Sequence, residues 1–326
     1  MKKVRWGIIG CGNVTEVKSG PAFSKIKHSE LVAVMRRDAA KAKDYAQRHG
    51  VPRWYTTAAD LINDPEVDAV YIATPPDTHA AYTLQVAAAG KPVYVEKPMA
   101  LNYAQCQQMI TACSDAGVPL FVAYYRRGQQ AFLKVKELVQ SRFIGDIRFV
   151  NIKLYQPLQP HLYKHEIPWR VQPEISGGGL FHDLAAHQFD ILDFILGPLA
   201  DASGQATNQA GLYAADDLVT AQFKFDNGVL GSGVWCFSVT EQQQEDSIEI
   251  VGSKGRIIFP TFALQNPIQL ETAEGIQEFL LPPPVHVQQP FIQSIVEELT
   301  GEGKCMGSVS AAARSTLIMD KIVSKI

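Results

Sequence analysis

The sequence predicts an α/β protein: a doubly wound parallel sheet over residues 1–123, then an α+β half over 124–326 built on a large, mostly antiparallel open sheet. Three observations carry this. Up to residue 123, short apolar runs alternate with helix-period segments, and each joint carries Gly, Pro or a polar turn. Those runs are apolar throughout, as strands buried on both faces are. From Tyr124 the rhythm changes to longer strand-like runs joined by turns such as Asp226-Asn227-Gly228.

Val4 to Ile9 is a short apolar strand leading into Gly10-Cys11-Gly12. Val14 to Ile26 is helical in character, and Gly20-Pro21 should kink or split it. Leu31 to Met35 is the second strand, about twenty residues beyond the glycines. Ala39 to His49 reads as a helix closed by Gly50, Val67 to Ala73 as a strand, and Thr78 to Ala89 as a helix closed by Gly90. Val93 to Val95 is a strand, Tyr103 to Ala116 a helix ending at Gly117, and Leu120 to Ala123 a strand.

In the second half, Gln129 to Val139 is helical and Asp146 to Tyr155 is a long alternating strand. A Pro-rich irregular stretch covers Gln156 to Pro173, and a helix follows Gly177-Gly178-Gly179 to Ile195. Strand-like runs occupy 218–225, 229–237, 247–251, 256–259 and 268–271. Gln289 to Thr300 and Val309 to Ile326 are closing helices.

Composition bounds the function. At 326 residues the chain exceeds the usual single domain, and 46% hydrophobic content supports a large core. A net charge of −3 without a long basic run argues against nucleic acid as a partner. Cys11, Cys106, Cys113, Cys236 and Cys305 show no paired spacing, which fits reduced thiols. No stretch approaches the ~20 apolar residues of a membrane span, and the N-terminal apolar run breaks at Gly10 and Gly12, too early for a signal peptide. A soluble, cytoplasmic protein is expected.

Gly10 and Gly12 sit between a strand and a helix, where a tight turn lets a pyrophosphate approach the backbone and the helix start at Asn13 and Val14. The third position of that fingerprint is Thr15 rather than Gly, so the match is partial. The second strand ends in Met35-Arg36-Arg37-Asp38. Arginine pairs with a 2′-phosphate and stacks on adenine, which favours NADP(H) over NAD(H). The competing reading leaves Arg36 and Arg37 solvated and puts Asp38 on the ribose. Ala73-Thr74-Pro75-Pro76-Asp77-Thr78-His79 ends another parallel strand, so Thr74, Pro75 and His79 are assigned to the cofactor, unless Asp77 or Thr78 merely caps the next helix.

Glu96-Lys97-Pro98 follows the strand at Val93, and ligands of open α/β sheets bind outside the carboxyl ends of the strands. Pro98 aims Lys97 by restricting it to extended geometry. Asp183 and His187 lie four residues apart on one helix face, continued by Asp190, and a histidine beside a carboxylate is a positioned proton carrier. His182 and Asp193 fall at other helix angles. His161 and His165 have i,i+4 spacing, but the stretch is Pro-rich and no third ligand is within reach, so no metal is expected.

With the glycine loop, Ala-Thr-Pro-Pro-Asp-Thr-His and Glu96-Lys97-Pro98 in this order, the chain resembles the Gfo/Idh/MocA family of NAD(P)-dependent oxidoreductases. Gly177-Gly178-Gly179 with Asp183-Leu184-Ala185-Ala186-His187 looks like that family's glycine run and catalytic Asp-x-x-x-His helix. The resemblance spans nearly the whole chain. It implies an N-terminal Rossmann domain binding NADP(H) or NAD(H) through Gly10, Gly12, Asn13, Val14, Arg36, Arg37, Thr74, Pro75, His79, Glu96, Lys97 and Arg126. It implies a C-terminal domain that covers a small sugar, cyclitol or polyol substrate and often mediates oligomerisation, here as a homodimer or homotetramer. His187 is then the proton carrier, Lys97 orients the alcohol oxygen and Asp183 holds a neighbouring hydroxyl or tunes the pair; the first two could exchange roles. Tyr125, Trp169 and Arg170 join the substrate set, with Tyr155 and Tyr163 as weaker candidates. The alternatives are a trans-dihydrodiol dehydrogenase and a non-catalytic NADP(H)-binding sensor, against which the joint presence of Lys97, Asp183 and His187 argues.

Overall fold

The computed structural model describes residues 3–163 and 167–324. The chain divides into two compact units, Met1–Gly128 with Pro284–Ala313 and Gln129–Pro283 with Arg314–Ile326. The sequence sets a single boundary at 123/124, whereas the first unit runs on to Gly128 and takes back a later segment.

The first unit runs β1 (Val4–Ile9), α1 (Asn13–Val17), β2 (Ser29–Met35), α2 (Ala39–His49), β3 (Arg53–Tyr55), α3 (Ala58–Asn63), β4 (Ala69–Ile72), α4 (His79–Ala88), β5 (Val93–Val95), α5 (Tyr103–Asp115) and β6 (Leu120–Val122). The strands form one parallel sheet in the order β3-β2-β1-β4-β5-β6. The order reverses between β1 and β4, so the loops after those strands flank the switch point where ligands of such sheets sit. The helix expected over 14–26 is split as Gly20-Pro21 requires, into α1 and a 3-10 turn over Gly20–Ser24. A Cβ on Gly20 would lie 2.2 Å from the Thr15 carbonyl oxygen, which also receives the Tyr45 hydroxyl at 2.8 Å.

The returning segment carries α9 (Gln289–Thr300). Phe291, Ile292, Ile295 and Val296 are buried in one core with Trp6, Phe23, Tyr71 and Tyr94 of the sheet's side. An amphipathic helix with that stripe must bury it, which is why the segment belongs to the first unit.

At the surface, α1 is tied to α2 by Glu16, whose carboxylate accepts two bonds from Arg48 at 2.8 Å and lies 2.8 Å from His49 Nε2. The Arg48 guanidinium holds the Glu16 carboxyl at about 2, below the usual range. A depressed folded-state pKa contributes stability above the unfolded value, and that stability is lost as pH falls. Wild type should therefore melt higher than Glu16→Gln at pH 6, with the gap closing between roughly pH 4.3 and pH 2. A gap of constant size in thermal melts across that window would show the pair to be neutral.

The second unit contains α6 (Gln130–Gln140), β7 (Ile147–Pro157), α7 (Pro173–Ser176), α8 (Gly179–Leu196), β8 (Leu199–Thr207), β9 (Leu218–Phe225), β10 (Leu230–Val239), β11 (Glu245–Gly252), β12 (Gly255–Phe259), β13 (Ile268–Thr272) and β14 (Gly275–Phe279). Its sheet order is β14-β13-β12-β11-β7-β10-β9-β8, antiparallel except for β7 beside β10. Strands β7, β9 and β10 alternate buried and exposed positions, so one face packs on helices. On that face Phe132 of α6 meets Phe259, while Phe181 and Phe189 of α8 meet Trp235 and Phe223. The Trp235 indole N–H donates to Gln188 Oε1 at 2.6 Å. The other face is polar, with Asn151, Lys153, Gln205, Thr220 and Gln222 around a shallow depression. Among the described residues no helix is long and apolar enough to cross a membrane.

Candidate active site

In the first unit the site begins where β1 ends. Gly10 and Cys11 donate their N–H groups to Met35 O at 2.9 and 3.2 Å, fixing the loop to the end of β2. Gly10 has φ +89°, and a Cβ there would lie 2.7 Å from Thr74 Cγ2 and 3.1 Å from the backbone of Ala73, so only glycine fits. At Gly12 a Cβ would meet nothing nearer than Gly10 O at 3.8 Å. The loop thus leaves room on its outer side, and this is the observation by which it fits a dinucleotide pyrophosphate. Thr15 replaces the third glycine usefully: its buried hydroxyl accepts from Gly12 N at 3.0 Å and donates to Gly12 O at 2.9 Å. Asn13 is exposed and Val14 half-buried at the start of α1. Burial pushes the Cys11 thiol up to about 11, so the loop carries no thiolate charge.

Asp38 is the N-cap of α2, accepting from Lys41 N at 3.1 Å, so its carboxylate is engaged by the helix. Arg36 donates through Nη1 to Cys11 O at 3.2 Å and so lies against the glycine loop, while Arg37 is exposed.

Thr74 and Pro75 are half-buried beyond β4. Neither Asp77 nor Thr78 caps α4 through its side chain: the Thr78 hydroxyl turns back to Thr74 Oγ1 at 2.7 Å and Pro75 O at 3.0 Å. His79, assigned to the cofactor by the sequence, opens α4. It is fully buried, its ring nitrogens 2.8 Å from Thr74 O and 3.0 Å from Pro98 O, so it braces two loops. Two carbonyl partners favour the imidazolium, but burial is the larger effect and draws its pKa below the ordinary value.

Lys97 stands at the carboxyl end of β5, half-buried, with a cis bond to Pro98. Glu96 precedes it and is buried. Its carboxylate turns inward and accepts from the Tyr71 hydroxyl, from Gln288 Nε2 at 2.6 Å and from Lys97 N at 3.2 Å. Its donors are protein groups, so the motif's glutamate shapes the site from behind. Tyr125 and Arg126 occupy a buried 3-10 turn after β6, with the guanidinium carbon 5.6 Å from the tyrosine ring centre.

In the second unit α8 carries Asp183, His187 and Asp190 along one face, and the latter two are buried. The glycine run makes this start compact: Ser176 Oγ accepts from Gly179 N at 2.8 Å, and all three glycines have positive φ. Arg170, from a 3-10 turn over Trp169–Val171, places Nε 3.4 Å from Asp183 Oδ2, with its guanidinium carbon 4.4 Å from the Trp169 ring centre. The structure thus brings together Asp183, Trp169 and Arg170, three of the residues that the sequence assigns to substrate. His187 packs edge-on to Phe262 at 6.0 Å, and Asp246 anchors that loop by accepting from Thr261 N, Phe262 N and Ala263 N at 2.6–3.0 Å.

His182 and Asp193, set aside by helix angle, face elsewhere. His182 lies 3.8 Å from buried Asp320, and Asp193 accepts from Arg314 Nε at 2.7 Å, both partners lying on α10 (Val309–Ile322). Tyr155 lies in β7 beside the polar face of the sheet, away from α8's face of it. The side chain of Tyr163 and all of His165 fall outside the described residues, among which no group of three His, Cys, Asp or Glu could hold a metal. Gln288 was missed by sequence reasoning, since nothing local marks a glutamine at a helix start as a partner of Glu96.

Residues 4–124 match the model of an oxidoreductase family with an NAD-binding Rossmann fold, GFO_IDH_MocA, and residues 132–258 match the GFO/IDH/MocA C-terminal domain. Oxidoreductase P35 of Formosa agariphila is 41% identical over 319 residues, 98% of each chain. The 1,5-anhydro-D-fructose reductase of Ensifer adhaerens is 29% identical over 92% of this chain and 89% of its own. Among solved structures, levoglucosan dehydrogenase in complex with NADH aligns with a TM-score of 0.88 over 99% of this chain and 96% of its own, at 22% identity, a likeness of fold.

Proposed function

The chain belongs to the Gfo/Idh/MocA family of NAD-binding oxidoreductases, and from that premise we propose that it moves hydride between NADP(H) and a secondary alcohol or carbonyl carbon of a sugar, cyclitol or related polyol. The observation that carries the reading is Lys97: a half-buried lysine at the carboxyl end of β5, which neighbours the switch-point strand β4, with its backbone braced from behind by Glu96. The sugar-reductase name of the Ensifer relative supports the substrate class.

The cofactor would be held by the Gly10–Val14 loop, Arg36, Thr74 and Pro75, and when bound it supplies the hydride acceptor or donor. The protein's own groups manage the proton. A C–H bond gives up its hydride readily only as the attached hydroxyl loses its proton and the carbonyl forms. Lys97 holds that oxygen by hydrogen bonding, and His187 takes the proton in oxidation and returns it in reduction. Asp183, with Arg170 and Trp169, holds neighbouring hydroxyls. Arg36 favours a 2′-phosphate because its charge already lies against the loop, while Asp38 is committed to α2.

The test is an absorbance assay of the nicotinamide with NADPH or NADH and a panel of aldoses and ketoses, and with NADP+ or NAD+ and inositols and diols. Turnover of at least one sugar or polyol is expected, with a lower KM for the phosphorylated cofactor. Arg36→Ala should raise that KM by about tenfold or more and leave the NADH KM nearly unchanged. A clear NAD preference that Arg36→Ala does not alter would sink the NADP(H) assignment. Silence across the panel, with tight NADPH binding, would instead identify a sensor.

A further inference from the structure

We propose that Gln288 and Tyr71 hold the buried Glu96 carboxylate as the brace that positions Lys97, so that α9, the helix completing the first unit, takes part in setting up the reaction. This rests on the reading of Lys97 given above and adds two positioning residues to it.

The geometry is continuous. Tyr71 and Tyr94 are register partners on β4 and β5, stacked at 4.7 Å between ring centres. The Tyr94 hydroxyl donates to Gln288 Oε1 at 2.7 Å, which fixes the amide so that Nε2 faces Glu96 Oε1 at 2.6 Å. Tyr71 donates its hydroxyl to the same carboxylate oxygen, and its oxygen lies 3.2 Å from Ser19 Oγ, just beyond α1. Glu96 Oε2 then accepts from Lys97 N at 3.2 Å. Gln288 is itself tied down, its backbone N–H donating to Lys18 O at 3.2 Å. Glu96 and Gln288 are buried, Tyr71 and Tyr94 wholly so. On the far side of Lys97, Pro98 O is taken by the His79 ring. Lys97 is therefore held from both flanks, while its own side chain stays half-exposed. A buried polar network either is fully satisfied and rigid or fails at its weakest member, so losing one donor should loosen the residue it positions.

Three variants separate positioning from simple stability. Gln288→Leu removes both amide contacts. Gln288→Met keeps the length of the side chain and, like Gln288→Leu, has neither the donor to Glu96 nor the acceptor for Tyr94. Tyr71→Phe removes the other donor and serves if Gln288→Leu does not fold. Gln293→Ala, on the same helix, loses only a contact with Lys27 N and is the control. Two readouts are taken: amide hydrogen exchange at Lys97 by mass spectrometry, and kcat beside the NADPH Kd with the panel substrate that turns over. The expected result is exchange at Lys97 faster by about tenfold or more in all three variants, kcat lower by a similar factor and the Kd unchanged. Gln288→Met should be no better than Gln288→Leu, and Gln293→Ala should match wild type.

Unchanged exchange at Lys97 overturns the brace whatever the turnover. Faster exchange with unchanged kcat overturns its part in the reaction, as does normal activity in Gln288→Met. If Lys97→Ala itself keeps turnover, the reading of Lys97 fails, and the exchange measurement still decides the brace on its own.

Discussion

Lys97→Ala and His187→Ala are each expected to lower kcat by about a thousandfold, within the range typical of a positioned proton-transfer group, while NADPH still binds. The reason lies in where the two groups stand. Lys97 emerges at the carboxyl end of β5 with its backbone N–H donating to Glu96 Oε2, a contact that Lys97→Ala keeps while it takes away the amine proposed to hold the alcohol oxygen. Lys97→Arg should rescue little, because a planar fork cannot reproduce a compact ammonium aimed at one oxygen. His187 is buried against Phe262 on α8, so its ring is fixed in orientation, which a general base needs. Steady-state kinetics with cofactor titration measures both effects. Near-wild-type turnover in either variant would remove that residue from the mechanism.

Gly178→Ala is expected to destabilise the second unit by about 3 kcal/mol or more, the sum of backbone strain and overpacking. Gly178 has φ +155°, and a Cβ there would fall 2.1 Å from His182 Nδ1. That ring cannot withdraw cheaply, being buried beside Asp320 and edge-on to Phe181. The main accommodation left is a shift of the first turn of α8, which carries Asp183 one turn before His187. Calorimetry should show the transition lowered by roughly 6 °C or more, with turnover lost before the protein unfolds. A normal melting temperature with normal activity would mean that the turn has slack not visible in its geometry.

Five of the six parallel strands were legible because they are buried on both faces and therefore continuously apolar, and α2 because Gly50 ends it at φ +65°. Strands β3, β8 and β14 were not. Arg53–Tyr55 is short and half-exposed, and β14 is largely exposed. In β8 the residues are small because neighbours come close: a Cβ on Gly204 would lie 2.4 Å from Thr220 O. The site divides in the same way. Glycine loops, Arg36 and the Asp183–His187 spacing are local patterns. The roles of Glu96 and His79 are set by which way each side chain turns, and Glu96 turns towards a glutamine 192 residues further along the chain.

That long reach bears on how the protein is made. Four buried side chains of the first unit's core, Phe291, Ile292, Ile295 and Val296, are synthesised only after the whole eight-stranded sheet. During translation the nascent parallel sheet must wait with one apolar flank uncovered and with Glu96 short of an amide donor, so its maturation is coupled to completion of the second unit. Premature termination near residue 283 would therefore release a chain that has every loop-borne residue of the cofactor site and lacks the helix that closes their foundation.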